Sequence, residues 1–145
     1  MALRTVIQMT NPGADQLSNQ SIDVLRKFLP EFSGTFLDVG CYGGWVYHLV
    51  KDKVDYTGID ISQTAVDAGK LLFGDRFICK DFQEYDVKHD IVWASFLQPE
   101  HLITQDSVTK LRSLSKKLLV IVDGSMVGNV YGASEQGDNW VAFRK

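Results

Sequence analysis

The segment Phe36–Gly44 has the sequence FLDVGCYGG, in which a short apolar run leads directly into a turn rich in glycine. The apolar residues over 35–39 are typical of a strand that is buried on both faces of a sheet. The apolar spacing over residues 45–51 then predicts a short helix after the turn. A strand, a glycine-rich turn and a helix in this order form the first half of a βα unit.

The same alternation of strand and helix continues along the chain. Strands are predicted over residues 35–39, 56–60, 76–80, 89–95 and 117–122, and helices over 17–29, 45–51, 62–74 and 104–115. We expect Ser62 to cap the third helix and Gly74 to end it. Strands that alternate with helices predict right-handed βαβ units, and therefore an α/β fold with a doubly wound, mostly parallel sheet. Turn residues and a final apolar run after Gly128 predict a returning strand or hairpin.

Length and composition restrict the class of protein. The chain has 145 residues, of which 45% are hydrophobic and 23% charged, and its formal net charge is -3. These values predict one globular domain and argue against nucleic acid held by a basic surface. The amino terminus lacks the apolar core of a signal peptide, and no run reaches the ~20 apolar residues of a bilayer span. We therefore expect a cytoplasmic protein that does not contact membranes. Cys41 and Cys79 have no metal-ligand spacing, so no metal site is expected.

Polar residues mark the ends of the predicted strands. In an open parallel sheet, ligands bind beyond the carboxyl ends of the strands, where the strand order reverses. Four of the five strand ends carry a carboxylate and the other carries a serine, namely Asp38, Asp60, Asp81, Asp123 and Ser95. Asp60 follows Asp38 by 22 residues, a position from which a carboxylate can bind both hydroxyls of a ribose.

The turn itself argues against a dinucleotide site. The G-x-G-x-x-G pattern of such sites requires glycine where Tyr42 stands, and it has no acid before its first glycine. An acid at Asp38 suits a ligand that carries a cationic amino group instead of a pyrophosphate. A nicotinamide-dependent oxidoreductase is therefore disfavoured.

Four segments resemble, in order and spacing, the successive motifs of class I S-adenosylmethionine-dependent methyltransferases: residues 38–44, 56–62, 80–82 and 90–95. In the turn, Asp38, Gly40 and Gly44 match the D-x-G-x-G-x-G pattern of this family, whereas Tyr42 replaces the middle glycine. The resemblance implies a Rossmann-like sheet of strand order 3-2-1-4-5 with an added antiparallel strand or hairpin. It divides the domain into an N-terminal helical segment (1–34), a cofactor-binding core (35–122) and a tail (123–145).

The resemblance also implies S-adenosylmethionine as the cofactor and a role for each matching residue. The methionine part would be held by Asp38, Gly40 and the adjacent backbone, including Cys41 and Gly44. The nucleoside part would be held by Asp60 at the ribose, Ile61, Asp81 and Phe82 at the adenine, and Ser95 where the fourth strand ends. Ile61 and Phe82 as core residues, and Asp81 as the cap of the following turn, are the structural alternatives.

The function implied by the resemblance is methyl transfer to an acceptor. His101, in the Glu-His-Leu stretch after the fourth strand, and Asp123 are the candidate general bases. The Asn/Asp-Pro-Pro-Tyr/Phe motif of family members that methylate nucleic-acid amino groups is replaced by residues 94–97, ASFL, which favours a small-molecule or protein acceptor. The alternative is a non-catalytic S-adenosylmethionine-binding module that serves a protein partner, since the region after the fifth strand is short. A homodimer is a further option.

The implied strand order also makes a prediction about the cysteines. Cys41 follows the first strand and Cys79 lies in the third, so two strand spacings, about 9.6 Å, separate them. This distance is too long for a disulfide. Both thiols are therefore predicted to be free.

Overall fold

The computed structural model describes residues 19–95, 105–122 and 132–145. Within these ranges, one sheet contains β1 (Thr35–Val39), β2 (Asp55–Asp60), β3 (Phe77–Cys79), β4 (His89–Ser95), β5 (Ser115–Val122), β6 (Glu135–Gln136) and β7 (Trp140–Arg144). Their spatial order is β3-β2-β1-β4-β5-β7-β6. Strands β1 to β5 are parallel, whereas β7 runs antiparallel to both β5 and β6. The predicted 3-2-1-4-5 order and the C-terminal hairpin are confirmed.

The described helices are α1 (Asn19–Phe28), α2 (Trp45–Val50), α3 (Gln63–Phe73) and α4 (Gln105–Leu114). As predicted, the Ser62 hydroxyl caps α3 by accepting a hydrogen bond from the N–H of Ala65 at 3.2 Å, and Gly74 ends that helix. Some predicted ends are shifted. Helix α1 ends at Phe28, because Pro30 belongs to a following 3-10 turn, and β5 begins at Ser115 instead of residue 117. None of the helices in the described ranges is long and apolar enough to cross a membrane.

Each face of the sheet is covered by its own apolar cluster. Side chains alternate between the two faces of a strand. Phe36, Tyr56 and Trp93 point to the face covered by α1, α2 and α3. Leu37 and Val92 point to the opposite face, which α4 covers. The doubly wound arrangement predicted from the strand–helix alternation is therefore confirmed.

The strand order reverses next to β1, which lies between β2 and β4. This is the position at which open α/β sheets bind ligands. Asp38, Asp60 and Ser95 stand at the carboxyl ends of β1, β2 and β4, and the alternation places all three on the face covered by α1 to α3. Cys41, just beyond β1, and Cys79, in β3, are both free thiols, as predicted.

Candidate functional site

The turn after β1 is held between the two neighbouring strands. The N–H groups of Gly40 and Cys41 both donate to the carbonyl of Ile59 in β2, at 2.9 and 3.1 Å. On the other side, a Cβ at Gly40 would lie only 2.6 Å from the carbonyl oxygen of Ser95 in β4, and the φ of Gly40 is +76°. Both observations require glycine at this position.

Tyr42 adopts a conformation that glycine normally supplies. Its φ is +50°, and it is the one non-glycine residue with positive φ in the described ranges. Its N–H donates to Oδ2 of Asp60 at 2.9 Å. Burial, together with the nearby charge of Asp60, raises the pKa of its hydroxyl to about 12, so the side chain is neutral near pH 7. Tyr42 therefore stands in the left-handed region, which glycine adopts without steric cost.

Asp60 connects three parts of the site through its carboxylate. Oδ2 accepts the hydrogen bond from Tyr42, and Oδ1 accepts one from the N–H of Ser62 at 2.9 Å. The residue is 9% exposed. An ionised carboxylate offers about four lone-pair positions, so each oxygen of Asp60 can accept a further donor.

Asp38 is completely buried, and its two carboxylate oxygens differ. The hydroxyl of Tyr56 in β2 donates to Oδ2 at 2.6 Å, whereas Oδ1 has no hydrogen-bond partner among the described residues. Burial raises the pKa of Asp38 to about 7; the hydrogen bond from Tyr56 opposes this rise, and the charge of Asp60 adds to it. A buried oxygen without a partner is costly, and a cationic donor at Oδ1 would remove that cost.

Two further unpartnered polar atoms lie in β4. The hydroxyl of Ser95 and the indole nitrogen of Trp93 are buried without hydrogen-bond partners in the described part of the chain. Trp93 stands opposite Asp38 in the β1–β4 register. Because alternate residues share a face, these two side chains and Asp38 lie on the same side of the sheet. The carboxyl-terminal halves of β1 and β4 thus hold buried donors and acceptors that lack partners among the described residues.

This chain is similar to known proteins in its three-dimensional structure. No family model and no curated protein sequence matches the chain. Among solved structures, the N-methyltransferase NodS from Bradyrhizobium japonicum WM9 is similar with a TM-score of 0.68 and 12% identity over 98% of this chain and 95% of that chain. Magnesium protoporphyrin IX methyltransferase from Synechocystis PCC 6803 is similar with a TM-score of 0.63 and 17% identity over 85% of this chain and 77% of that chain. The ribosomal protein L11 methylase from Lactobacillus delbrueckii subsp. bulgaricus is similar with a TM-score of 0.62 and 16% identity over 86% of this chain and 77% of that chain.

The chain has the class I methyltransferase fold. At identities of 12 to 17%, the similarity establishes the fold. The role of each residue has to be argued from the site itself.

In this methyltransferase fold, the residues predicted at the adenine follow the ends of two neighbouring strands, Ile61 after β2 and Asp81 and Phe82 after β3. Ile61 is 55% exposed and follows Asp60 directly. Asp81 is exposed and caps the 3-10 turn Phe82–Glu84, because its Oδ1 accepts a hydrogen bond from the N–H of Gln83 at 2.9 Å. Phe82 is half-buried against the cluster under α4. Asp81 thus makes the structural contact named as its alternative, and its contact with adenine stays a prediction.

The candidate catalytic residues are not among those described. His101 and Asp123 lie outside the described residues, so their roles stay predictions. The described residues contain no group of His, Cys, Asp and Glu side chains that could hold a metal ion.

Two residues of the site, Tyr56 and Gly58, were not predicted from the sequence. Tyr56 holds Asp38, and Gly58 stands opposite Asp38 in the β1–β2 register. A Cβ at Gly58 would lie 2.8 Å from the hydroxyl oxygen of Tyr56. The available signal was the period of two in β2, which puts Tyr56, Gly58 and Asp60 on one face. A tyrosine followed two residues later by glycine leaves space on that face for the hydroxyl.

Proposed function

We propose that this chain binds S-adenosylmethionine at the carboxyl ends of β1, β2 and β4 and transfers its methyl group to an acceptor. The observation that carries the proposal is the unpartnered Oδ1 of the fully buried Asp38, at the point where the strand order reverses. Among the similar structures, the Synechocystis enzyme was crystallised with bound SAM, and NodS was crystallised with S-adenosylhomocysteine.

Asp38 fits the amino group of the methionine part. An ammonium group can donate to Oδ1 while Tyr56 continues to donate to Oδ2. The positive charge also favours the ionised carboxylate, which burial alone disfavours. Gly40 contributes by the absence of a side chain, since its turn has no room for a Cβ.

Asp60 fits the ribose, and its surroundings fit the adenine. Asp60 can accept from sugar hydroxyls with the lone pairs that Tyr42 and Ser62 leave available. The exposed side chain of Ile61 follows directly and offers an apolar surface to a flat base. Covering such an exposed side chain is favourable by about 25 cal/mol per Å² of apolar surface removed from water.

The chemistry asks the protein mainly for binding and orientation. When bound, S-adenosylmethionine supplies a methyl group that its sulfonium makes electrophilic. Positioning of the acceptor in line with that methyl group supplies much of the acceleration. We propose His101 and Asp123 as candidates to accept a proton from an acceptor that must lose one. The acceptor-binding parts are proposed to be residues 1–34 and 123–145, with a small molecule or a protein as acceptor.

Calorimetric titration with S-adenosylhomocysteine tests the proposal. We expect one binding site on the wild-type chain and at least tenfold weaker binding to Asp60→Ala, a loss of about 1.4 kcal/mol. Asp67→Ala is the matched control, because Asp67 is an exposed acid on the neighbouring helix α3. Absence of binding by the wild type, or equal affinity in Asp60→Ala, would overturn the proposal.

A further inference from the structure

Tyr56 is joined to Asp38 of the proposed cofactor site by a short hydrogen bond. It is 2% exposed, and its hydroxyl donates to Oδ2 of Asp38 at 2.6 Å. The other oxygen, Oδ1, is left without a partner in the described ranges. One oxygen of Asp38 therefore accepts from a donor inside the protein, and the other is left for a ligand.

We propose that Tyr56 is a positioning residue, which turns Oδ1 of Asp38 towards the amino group of S-adenosylmethionine. This inference rests on the proposed function. Tyr56 then affects the binding of the amino-acid part of the cofactor, whereas Asp60 and its neighbours bind the nucleoside part. Tyr56 itself does not touch the ligand.

The position of the Tyr56 hydroxyl is set by the packing of its ring. The ring stacks on Phe36 at a centroid distance of 6.0 Å and meets Tyr47 edge-on at 5.1 Å. Phe77 packs against it at 5.6 Å. These contacts involve the ring and not the oxygen, so a phenylalanine at this position keeps them.

Gly58 provides the space in which the hydrogen bond forms. A Cβ at Gly58 would lie 2.8 Å from the hydroxyl oxygen of Tyr56 and 2.9 Å from Cβ of Cys41. Both distances are shorter than real Cβ contacts, so alanine at this position must displace the hydroxyl or the turn. Gly58→Ala therefore disturbs the same hydrogen bond without changing Tyr56.

The charges around Asp38 explain why one neutral donor matters. The titratable groups that act on Asp38 are Tyr56 and Asp60 of β2. The charge of Asp38 in turn acts on Cys41 of the turn, and Trp93 of β4 does not titrate. Burial raises the pKa values of Tyr56 and Cys41 well above their ordinary range, so both are neutral at pH 7. Asp60 repels the charge of Asp38, which leaves the hydroxyl of Tyr56 as the stabilising contact among these groups.

The test compares two ligands on Tyr56→Phe. S-adenosylhomocysteine carries the amino group, and 5′-methylthioadenosine has the same nucleoside but lacks the amino-acid part. We expect Tyr56→Phe to bind S-adenosylhomocysteine about tenfold more weakly, with the midpoint of its pH dependence moved to higher pH, because Asp38 then holds its proton more tightly. Affinity for 5′-methylthioadenosine should change less than about twofold.

Two further variants complete the experiment. Gly58→Ala should reproduce the ligand-selective loss, and it replaces Tyr56→Phe if that variant does not fold. Tyr47→Phe removes a hydroxyl from a ring of the same aromatic group and should bind both ligands as the wild type does. An equal loss of affinity for the two ligands, or an unchanged pH midpoint, overturns the role of Tyr56 and leaves the proposed function standing. A wild-type chain that binds neither ligand overturns the proposed function and this role with it.

Discussion

Asp60 and Tyr42 join the end of β2 to the turn after β1, since Oδ2 of Asp60 accepts a hydrogen bond from the N–H of Tyr42 at 2.9 Å. The same carboxylate also accepts from the N–H of Ser62 through Oδ1, at the start of the connection to α3. The residue proposed to bind the ribose therefore also holds the backbone on both sides of it. Substitution of Asp60 is expected to affect stability and binding together.

Asp60→Asn should lower the free energy of unfolding by about 1–3 kcal/mol. In either orientation of the amide, its NH2 group faces one of the two backbone N–H groups, which then loses its acceptor. Urea unfolding at pH 7 measures the change. Asp67→Asn, an exposed acid on α3, is the control and should stay within about 0.5 kcal/mol of the wild type. Equal stability of the two variants would contradict a structural role for Asp60.

The left-handed backbone of Tyr42 can be tested with two substitutions that both remove its ring. Tyr42→Gly should be more stable than Tyr42→Ala by about 1 kcal/mol, because only glycine adopts a φ near +50° without steric cost. Thermal or urea unfolding of the pair gives the difference directly, since the lost ring contacts are common to both. If alanine is as stable as glycine, this conformation carries no strain.

The order of the elements was predictable because it depends on patterns that repeat within the chain. The apolar segments at 35–39 and 117–122 and the cap at Ser62 are local signals, and the structure has the predicted elements at those places. The ends of the elements were less predictable, since Ser115 joins β5 through pairing with His89, a residue distant in sequence.

The contacts inside the site depended on tertiary structure. The hydrogen bond between Tyr56 and Asp38 joins two neighbouring strands, and neither residue predicts it from its place in the sequence. The orphan oxygen of Asp38 is visible only once burial is known. Asp81 shows the reverse case, since a carboxylate at a strand end can be predicted as a ligand and still make a local cap.

The raised pKa of Asp38 predicts a pH dependence of stability. Burial raises this pKa from 3.8 to about 7, so between these values the folded chain binds a proton that the unfolded chain has released. The stability that protonated Asp38 contributes is therefore fully present below about pH 4. It is lost as the pH rises through 7, by roughly 4 kcal/mol in all. Asp38→Asn does not titrate, so its stability relative to the wild type should increase from pH 4 to pH 8. Urea unfolding across this range measures the difference, and a difference independent of pH would contradict the buried, partly protonated state of Asp38.

His89 predicts a pH dependence of the opposite sign. Burial, with a smaller effect of Lys116, lowers its pKa below 6.5, and its Nε2 atom lies 2.8 Å from the hydroxyl of Tyr85. Nδ1 is buried without a partner in the described residues, so a protonated ring would carry one N–H with no acceptor. The stability that neutral His89 contributes is present above pH 6.5 and is lost as the pH falls. His89→Gln removes this titration but leaves Asp38 unchanged, so the advantage of the wild type over His89→Gln should shrink from pH 7 to pH 5. A wild-type advantage that stays constant over that interval in urea unfolding would show that His89 is not held in its neutral form.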